Sequence, residues 1–176
     1  MWFFGSKLAA DLRRLRPSDT PSVSKLLAVV ARNPGMLACV FLRAQENAVR
    51  RGMSRTADVI RHLGVFATGA DFLPGCSVAA GLLLPHPNGV VLGAGARVGL
   101  NCTILQQVTL GEKDATGAGP HLYPVIGDDV IVGAGARILG GIEVGRQVKI
   151  GANAVVLFDV PEGERAVGVP ARILKS

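Results

Sequence analysis

His86 stands in the turn sequence PHPNG, between two prolines and ahead of an asparagine and a glycine, in a chain with three histidines. An imidazole titrates near neutral pH, which suits His86 to take a proton from a substrate. Asp71 precedes it by 15 residues, and an aspartate beside an imidazole can fix its tautomer and stabilise the imidazolium. On the residues alone, an exposed turn histidine and a capping aspartate is the simpler reading. What decides between the two is whether the chain folds Asp71 and His86 together. His62 has no such companion and reads as a surface or packing residue of a helix. The scattered histidines and the three cysteines at 39, 76 and 102 offer no metal-ligand spacing. An odd cysteine count gives no disulfide framework, so the thiols read as small core residues in a reducing compartment.

The elements that must position these residues differ on either side of Gly64. Of the 23 glycines, 20 lie in residues 64–176. Before that point, segments 7–16, 22–32 and 35–63 carry apolar residues at spacings of three and four, the pattern of helices. Pro17, Pro21 and Pro34 separate them. After it a six-residue period sets in. From Leu92 the chain reads LGAGAR, VGLNCT, ILQQVT, LG, and from Ile126 it resumes as IGDDVI, VGAGAR, ILGGIE, VGRQVK, IGANAV, VLFDV. Phe72, Val78 and Leu84 extend the phase upstream, with two extra residues between 84 and 92. Neither a lone strand nor a helix repeats a branched aliphatic residue every sixth place, whereas a short strand followed by a tight turn does. The first residue of each block points inward, the small fifth residue fills a corner, and Gly or Asn takes the turn. Three blocks close a triangular coil of about 18 residues, and the coils stack as parallel strands. The interval from Asp71 to His86 is then almost one circuit, so the two can meet one coil apart at the same corner. The stretch GEKDATGAGPHLYPV, 111–125, does not fit the period and must leave the coil as a loop.

Composition limits the function classes. The chain has 176 residues and a mean hydropathy of +0.38, enough apolar material for one folded unit with a small appendage. The net charge of +6 comes entirely from residues 1–63, which hold 11 Lys and Arg against 4 Asp and Glu. No stacking aromatics are interleaved with these cations, so nucleic acid is not the expected partner. A solvated or subunit-packing face is preferred to contact with an acidic membrane, although Trp2, Phe3 and Phe4 keep the membrane-surface adaptor as a rival. No apolar run of about 18 residues exists, since Arg32, Asn33 and Pro34 break the longest. The start MWFFGSK has its charges after its apolar residues, unlike a secretory signal, and a cytoplasmic location is the default.

The segments TGADFLPG, LLLPHPNGVVLG, TILQQVTLG, VIGDDVIVGAGARILGGIEVG, KIGANAVVLFDVPEG and GVPARI resemble the serine acetyltransferase branch of the hexapeptide-repeat acyltransferases. The resemblance implies a mainly β fold: a left-handed parallel β-helix over 66–176, with an excursion loop at 111–125, behind a helical region at 1–65. It implies an acetyl-CoA-dependent O-acetyltransferase in which His86 is the general base and Asp71 orients it. Acetyl-CoA is then the co-substrate, and no metal is expected. Relatives carry an Arg and a His before the Pro that re-enters the coil. Here Tyr123 holds the place before Pro124 and His121 lies two residues earlier, so either can take the acceptor-binding role, with Asn88 of the PHPNG turn beside them. Ala134, Ala152, Arg172 and Lys113 match or neighbour positions that receive CoA. Serine-specific relatives also have Asp directly before the catalytic His, and this chain has Pro85. That leaves a small-molecule or saccharide hydroxyl as the leading acceptor and serine, as in cysteine biosynthesis, as the alternative. The family assembles as homotrimers with active sites between subunits, so a homotrimer is expected, without a cysteine synthase complex. A metal-dependent carbonic anhydrase on the same scaffold would need three convergent histidines, and a non-catalytic trimeric scaffold would bind no CoA.

Overall fold

The computed structural model describes residues 6–17, 22–114 and 122–174. Four helices come first: α1 (Ser6–Leu15), α2 (Val23–Val30), α3 (Pro34–Arg50) and α4 (Ser54–Thr68). Their starts follow capping chemistry. The Ser22 hydroxyl accepts from Lys25 N and the Asn33 side chain from Met36 N, with Pro34 in the first turn. The 35–63 stretch, helical by its apolar spacing, divides at Gly52, whose φ of 71° ends α3. Gly64 does not end α4. It is buried, and a Cβ there would lie 3.2 Å from Phe41 Cβ, so this glycine serves close packing of α4 on α3. The helix runs on to Thr68 and stops at Gly69, again left-handed at 71°. Among the described residues no helix is long and apolar enough to cross a membrane.

The chain then winds as a left-handed parallel β-helix of short strands. One face stacks Asp71–Phe72, Val91–Leu92, Thr109–Gly111, Arg137–Leu139 and Val155–Val156, all parallel. Register partners lie 18 residues apart where the repeat is regular, as for Val91 with Thr109. They lie 20 apart across the PHPNG turn, Asp71 with Val91. Across the loop they lie 28 apart, Thr109 with Arg137. The first places of the blocks, Leu92, Val98, Ile104, Leu110, Ile126, Val132, Ile138, Val144, Ile150 and Val156, form the core, none more than 4% exposed. At the fifth places Ala96, Cys102, Ala136 and Ala154 are fully buried beside them.

Glycine does two jobs here. At the fourth place it or a polar residue takes positive φ, 72° at Gly135 and 57° at Asn153, which turns the corner. At the second place the reason is space: a Cβ on Gly133 would lie 2.6 Å from Ala152 N of the next coil. At the far end the strands Arg165–Val167 and Arg172–Leu174 pair antiparallel and finish the coil.

The first coil has no strand before it, so its backbone groups need other partners. The helices supply them. Asp11, fully buried, accepts from Gly81 N at 2.9 Å and Leu82 N at 2.8 Å. Arg43 donates to both Asp11 oxygens, to Glu46, and to the carbonyls of Val78 and Ala79 at 2.7 Å each. Lys7 adds a second donor to Val78 O, and Gln45 donates to Phe72 O at 2.8 Å. α3 also needs Gly35, because a side chain there would overlap the Leu84 carbonyl. Arg43→Met would leave the buried Asp11 carboxylate without its cation. It is expected to cost about 3–5 kcal/mol in urea unfolding, and a loss below about 1 kcal/mol would contradict the role given to this network.

Candidate active site

The PHPNG turn is anchored on two sides. Gly89 N donates to Gly69 O at 2.8 Å in the preceding coil, and Gln107 N donates to Asn88 O at 3.0 Å from the following one. Gly69 lies directly over Asn88, and Asp71 N donates to Val90 O at 2.8 Å. Residues 69–71 therefore run along 88–91, and Asp71 and the His86 turn share one corner on adjacent coils. His86 and Asn88 are exposed on this corner, free to meet a ligand or another subunit. The Asp71 carboxylate is engaged by Arg61 of α4, with Nε to Oδ1 at 2.6 Å and the second guanidinium nitrogen to Oδ2 at 2.8 Å. The hydrogen bond to Asp71 is the main influence raising the Arg61 guanidinium above its ordinary pKa. By its place in the sequence Arg61 belongs to the basic, solvated face of the helices. The signal that singles it out is its position two turns before the end of the helix that leads straight into Asp71.

Of the other candidates, Tyr123 lies flat across the Gly93 to Gly95 corner, where a methyl on either glycine would overlap the ring. Its phenol is hydrogen-bonded to Glu112, which lifts its pKa, so the pair ties together the two ends of the 111–125 loop. His121 lies outside the described residues. Lys113 is exposed and packs beside Gly140. Ala134 and Ala152 occupy one corner on successive coils, joined through Asn153 N to Ala134 O at 2.7 Å. Arg172 is exposed on the terminal antiparallel strand. His62 is exposed on α4. Trp2, Phe3 and Phe4 also lie outside the described residues. Among the described residues no group of three His, Cys, Asp or Glu converges as for a metal.

Two clefts among the described residues lie elsewhere. One is lined by Lys7, Gln45, Glu46, Arg50, Gly75 and Ser77, another by Arg16, Lys25, Arg32 and Asn33. Neither includes His86 or Asp71.

A left-handed coil built of hexapeptides is the fold of the hexapeptide-repeat transferases, and residues 123–157 match the family described as bacterial transferase hexapeptide (six repeats). Serine acetyltransferase of Helicobacter pylori strain 26695 is 38% identical over 95% of this chain and 96% of its own length. A soybean serine acetyltransferase solved with serine is 38% identical, with a TM-score of 0.85 over 96% of this chain and 68% of its own. A serine acetyltransferase solved in complex with CoA is 34% identical, with a TM-score of 0.82 over 95% of this chain and 68% of its own. This chain belongs to the serine acetyltransferase family, and it is an acetyl-CoA-dependent acyltransferase.

Burial raises all three thiols: Cys102 to about 11, Cys76 to about 12, and Cys39 further still. A raised thiol pKa keeps the group protonated, and so unreactive, at pH 8. In the folded protein no thiol is expected to react with an aromatic disulfide reagent at pH 8, and all three should react after unfolding in urea. Rapid reaction of one thiol in the folded protein would contradict this placement.

Proposed function

We propose that the protein transfers the acetyl group of acetyl-CoA to a hydroxyl of a small-molecule or saccharide acceptor by direct attack, with His86 as the general base. His86 takes the hydroxyl proton as the oxygen bonds to the thioester carbonyl carbon. The tetrahedral intermediate collapses, the carbon–sulfur bond breaks, and the imidazolium returns its proton to the departing thiolate. The products are an acetyl ester and free CoA, and no group of the protein becomes acylated. Asp71, one coil above, orients the imidazole and stabilises its charged form.

The acceptor preference rests on one observation: the residue before His86 is Pro85, which offers neither charge nor donor to an ammonium group. Desolvating a free amino acid's charged ends without partners is costly, and the Tyr123 phenol is already committed to Glu112. A neutral polyol makes no such demand. The second reading is serine itself, favoured by the relatives, which are serine acetyltransferases, one of them solved with serine.

Ala134 and Ala152 would line the pantetheine arm of CoA, with Lys113 on its thioester side and Arg172 toward its nucleotide end. Asn88 and one of His121 or Tyr123 would contact the acceptor. The site lies between subunits of a homotrimer in this reading, and the apolar stripe of α4 supports association: Val59, Leu63 and Phe66 share one helical face, with Phe66 94% exposed. The division proposed is a helical region followed by the β-helix, with the boundary at the end of α4, Thr68, rather than at 65. A reducing cytoplasm is its proposed location, supported by three buried free cysteines.

The test is thiol release from acetyl-CoA with L-serine and a panel of saccharides, for wild type and His86→Ala. Saccharide-dependent turnover that falls about 100- to 10,000-fold in the variant is expected. Turnover with L-serine alone would move the assignment to the second reading, and no thiol release with any acceptor, or release equal in wild type and His86→Ala, would refute it. Light scattering should give three times the 18.3 kDa subunit mass, and a monomer would contradict the shared site.

A further inference from the structure

The Asp71 carboxylate, which the proposed mechanism assigns to His86, is held by a residue that mechanism does not use. Both Asp71 oxygens receive a donor from Arg61, at 2.6 and 2.8 Å, in the two-pronged geometry that fits a guanidinium to a carboxylate. The pair is about one-quarter exposed on each side, so it is neither a freely solvated contact nor a sealed one. Its frame is stiff. Arg61 sits on a helix packed along α3, and α4 passes into the strand at Asp71 through the single turn at Gly69. Gly69 is itself wedged over Asn88, so the helix end, the aspartate and the His86 turn are fixed to one another.

We infer that Arg61 is a positioning residue for acetyl transfer: it fixes the plane of the Asp71 carboxylate and offsets its charge, leaving the remaining lone pairs for the His86 imidazole. The inference rests on the proposed role of His86. An ionised carboxylate has about four acceptor directions, and two donors from one guanidinium leave two. A bare aspartate would favour the imidazolium and make His86 more basic. A neutralised one holds the imidazole's orientation while leaving more of it in the neutral form that accepts a proton. Asp58 on α4 is the other charged group that acts on Arg61, and Asp71 shares the surroundings of Cys76 with Glu46 and Arg43 of α3 and Lys7 of α1. Glu46, Arg43 and Lys7 are already paired among themselves and with Asp11, which leaves Arg61 as the cation bound directly to Asp71.

Arg61→Met and Arg61→Lys separate this role from a merely structural one. The pH profile of kcat/KM is measured for both with the acceptor that wild type uses. Arg61→Met is expected to lower kcat about 10- to 100-fold, with KM for acetyl-CoA within about two-fold. Its acid limb should move to higher pH by about one unit, because the imidazolium gains an uncompensated carboxylate. Arg61→Lys keeps the charge but not the fork, so it should keep the wild-type limb and lose only part of kcat. In an Asp71→Asn background Arg61→Met should cost nothing further, since its effect passes through the aspartate. An Arg61→Met enzyme that unfolds at lower temperature but keeps the wild-type acid limb overturns the inference, as does full additivity with Asp71→Asn. Failure of the underlying reading looks different: His86→Ala would then turn over as fast as wild type, which overturns the base and with it the role of Arg61.

Discussion

A stack of parallel coils must begin somewhere, and its first coil presents carbonyls and amides that no strand covers. In this protein Asp11 and Arg43 meet that demand. The carboxylate takes two backbone amides of the first coil, the guanidinium takes two of its carbonyls, and the two side chains satisfy each other. The pair is almost wholly excluded from water, so each charge depends on the other. The placement of the site follows from it. By holding α1 and α3 over the first coil it sets the platform on which α4 lies, and α4 delivers Asp71 to the corner where the PHPNG turn stands out. The helical region is thus the end cap of the β-helix, and the proposed site sits where cap and coil meet.

The coil was legible because its physics is periodic. A branched aliphatic residue at every sixth place has one simple explanation, and the ten first-place residues from Leu92 to Val156 are buried as that explanation requires. The two extra residues at the PHPNG turn and the loop after Leu110 appear as register steps of 20 and 28 in place of 18. Helix limits were less legible. Gly52 and Gly64 look alike in the sequence, yet one takes a left-handed conformation that ends a helix and the other lies inside a helix because Phe41 leaves no room for a side chain. Only tertiary packing separates those two reasons for glycine.

The candidate site was less legible than the coil. Residue type and spacing alone leave His86 and Asp71 as an exposed turn histidine and a capping aspartate; the family resemblance raises them to candidates, and the fold runs residues 69–71 along 88–91 beside the His86 turn. The Arg61 contact was not visible, because an arginine ten positions from an aspartate has no signature of its own; the contact exists because α4 ends where it does and folds against the strand that follows. Tyr123 is a similar case. Its place before Pro124 suggested a ligand for the acceptor, while its surroundings give it a bond to Glu112 and a seat on two glycines that only the folded coil brings together. Departures from the family pattern at Pro85 and in the 111–125 loop fall on residues assigned to the acceptor side of the proposed site. The coil that would carry the donor keeps its repeat.

The central claim is that acetyl transfer takes place at the corner shared by Asp71 and the His86 turn. A crystal structure of the assembled protein with CoA bound tests it most directly. The account predicts the CoA sulfur beside the His86 imidazole, with the pantetheine arm following the corner of Ala134 and Ala152. CoA bound with its sulfur away from His86, or along another face of the coil, would contradict it.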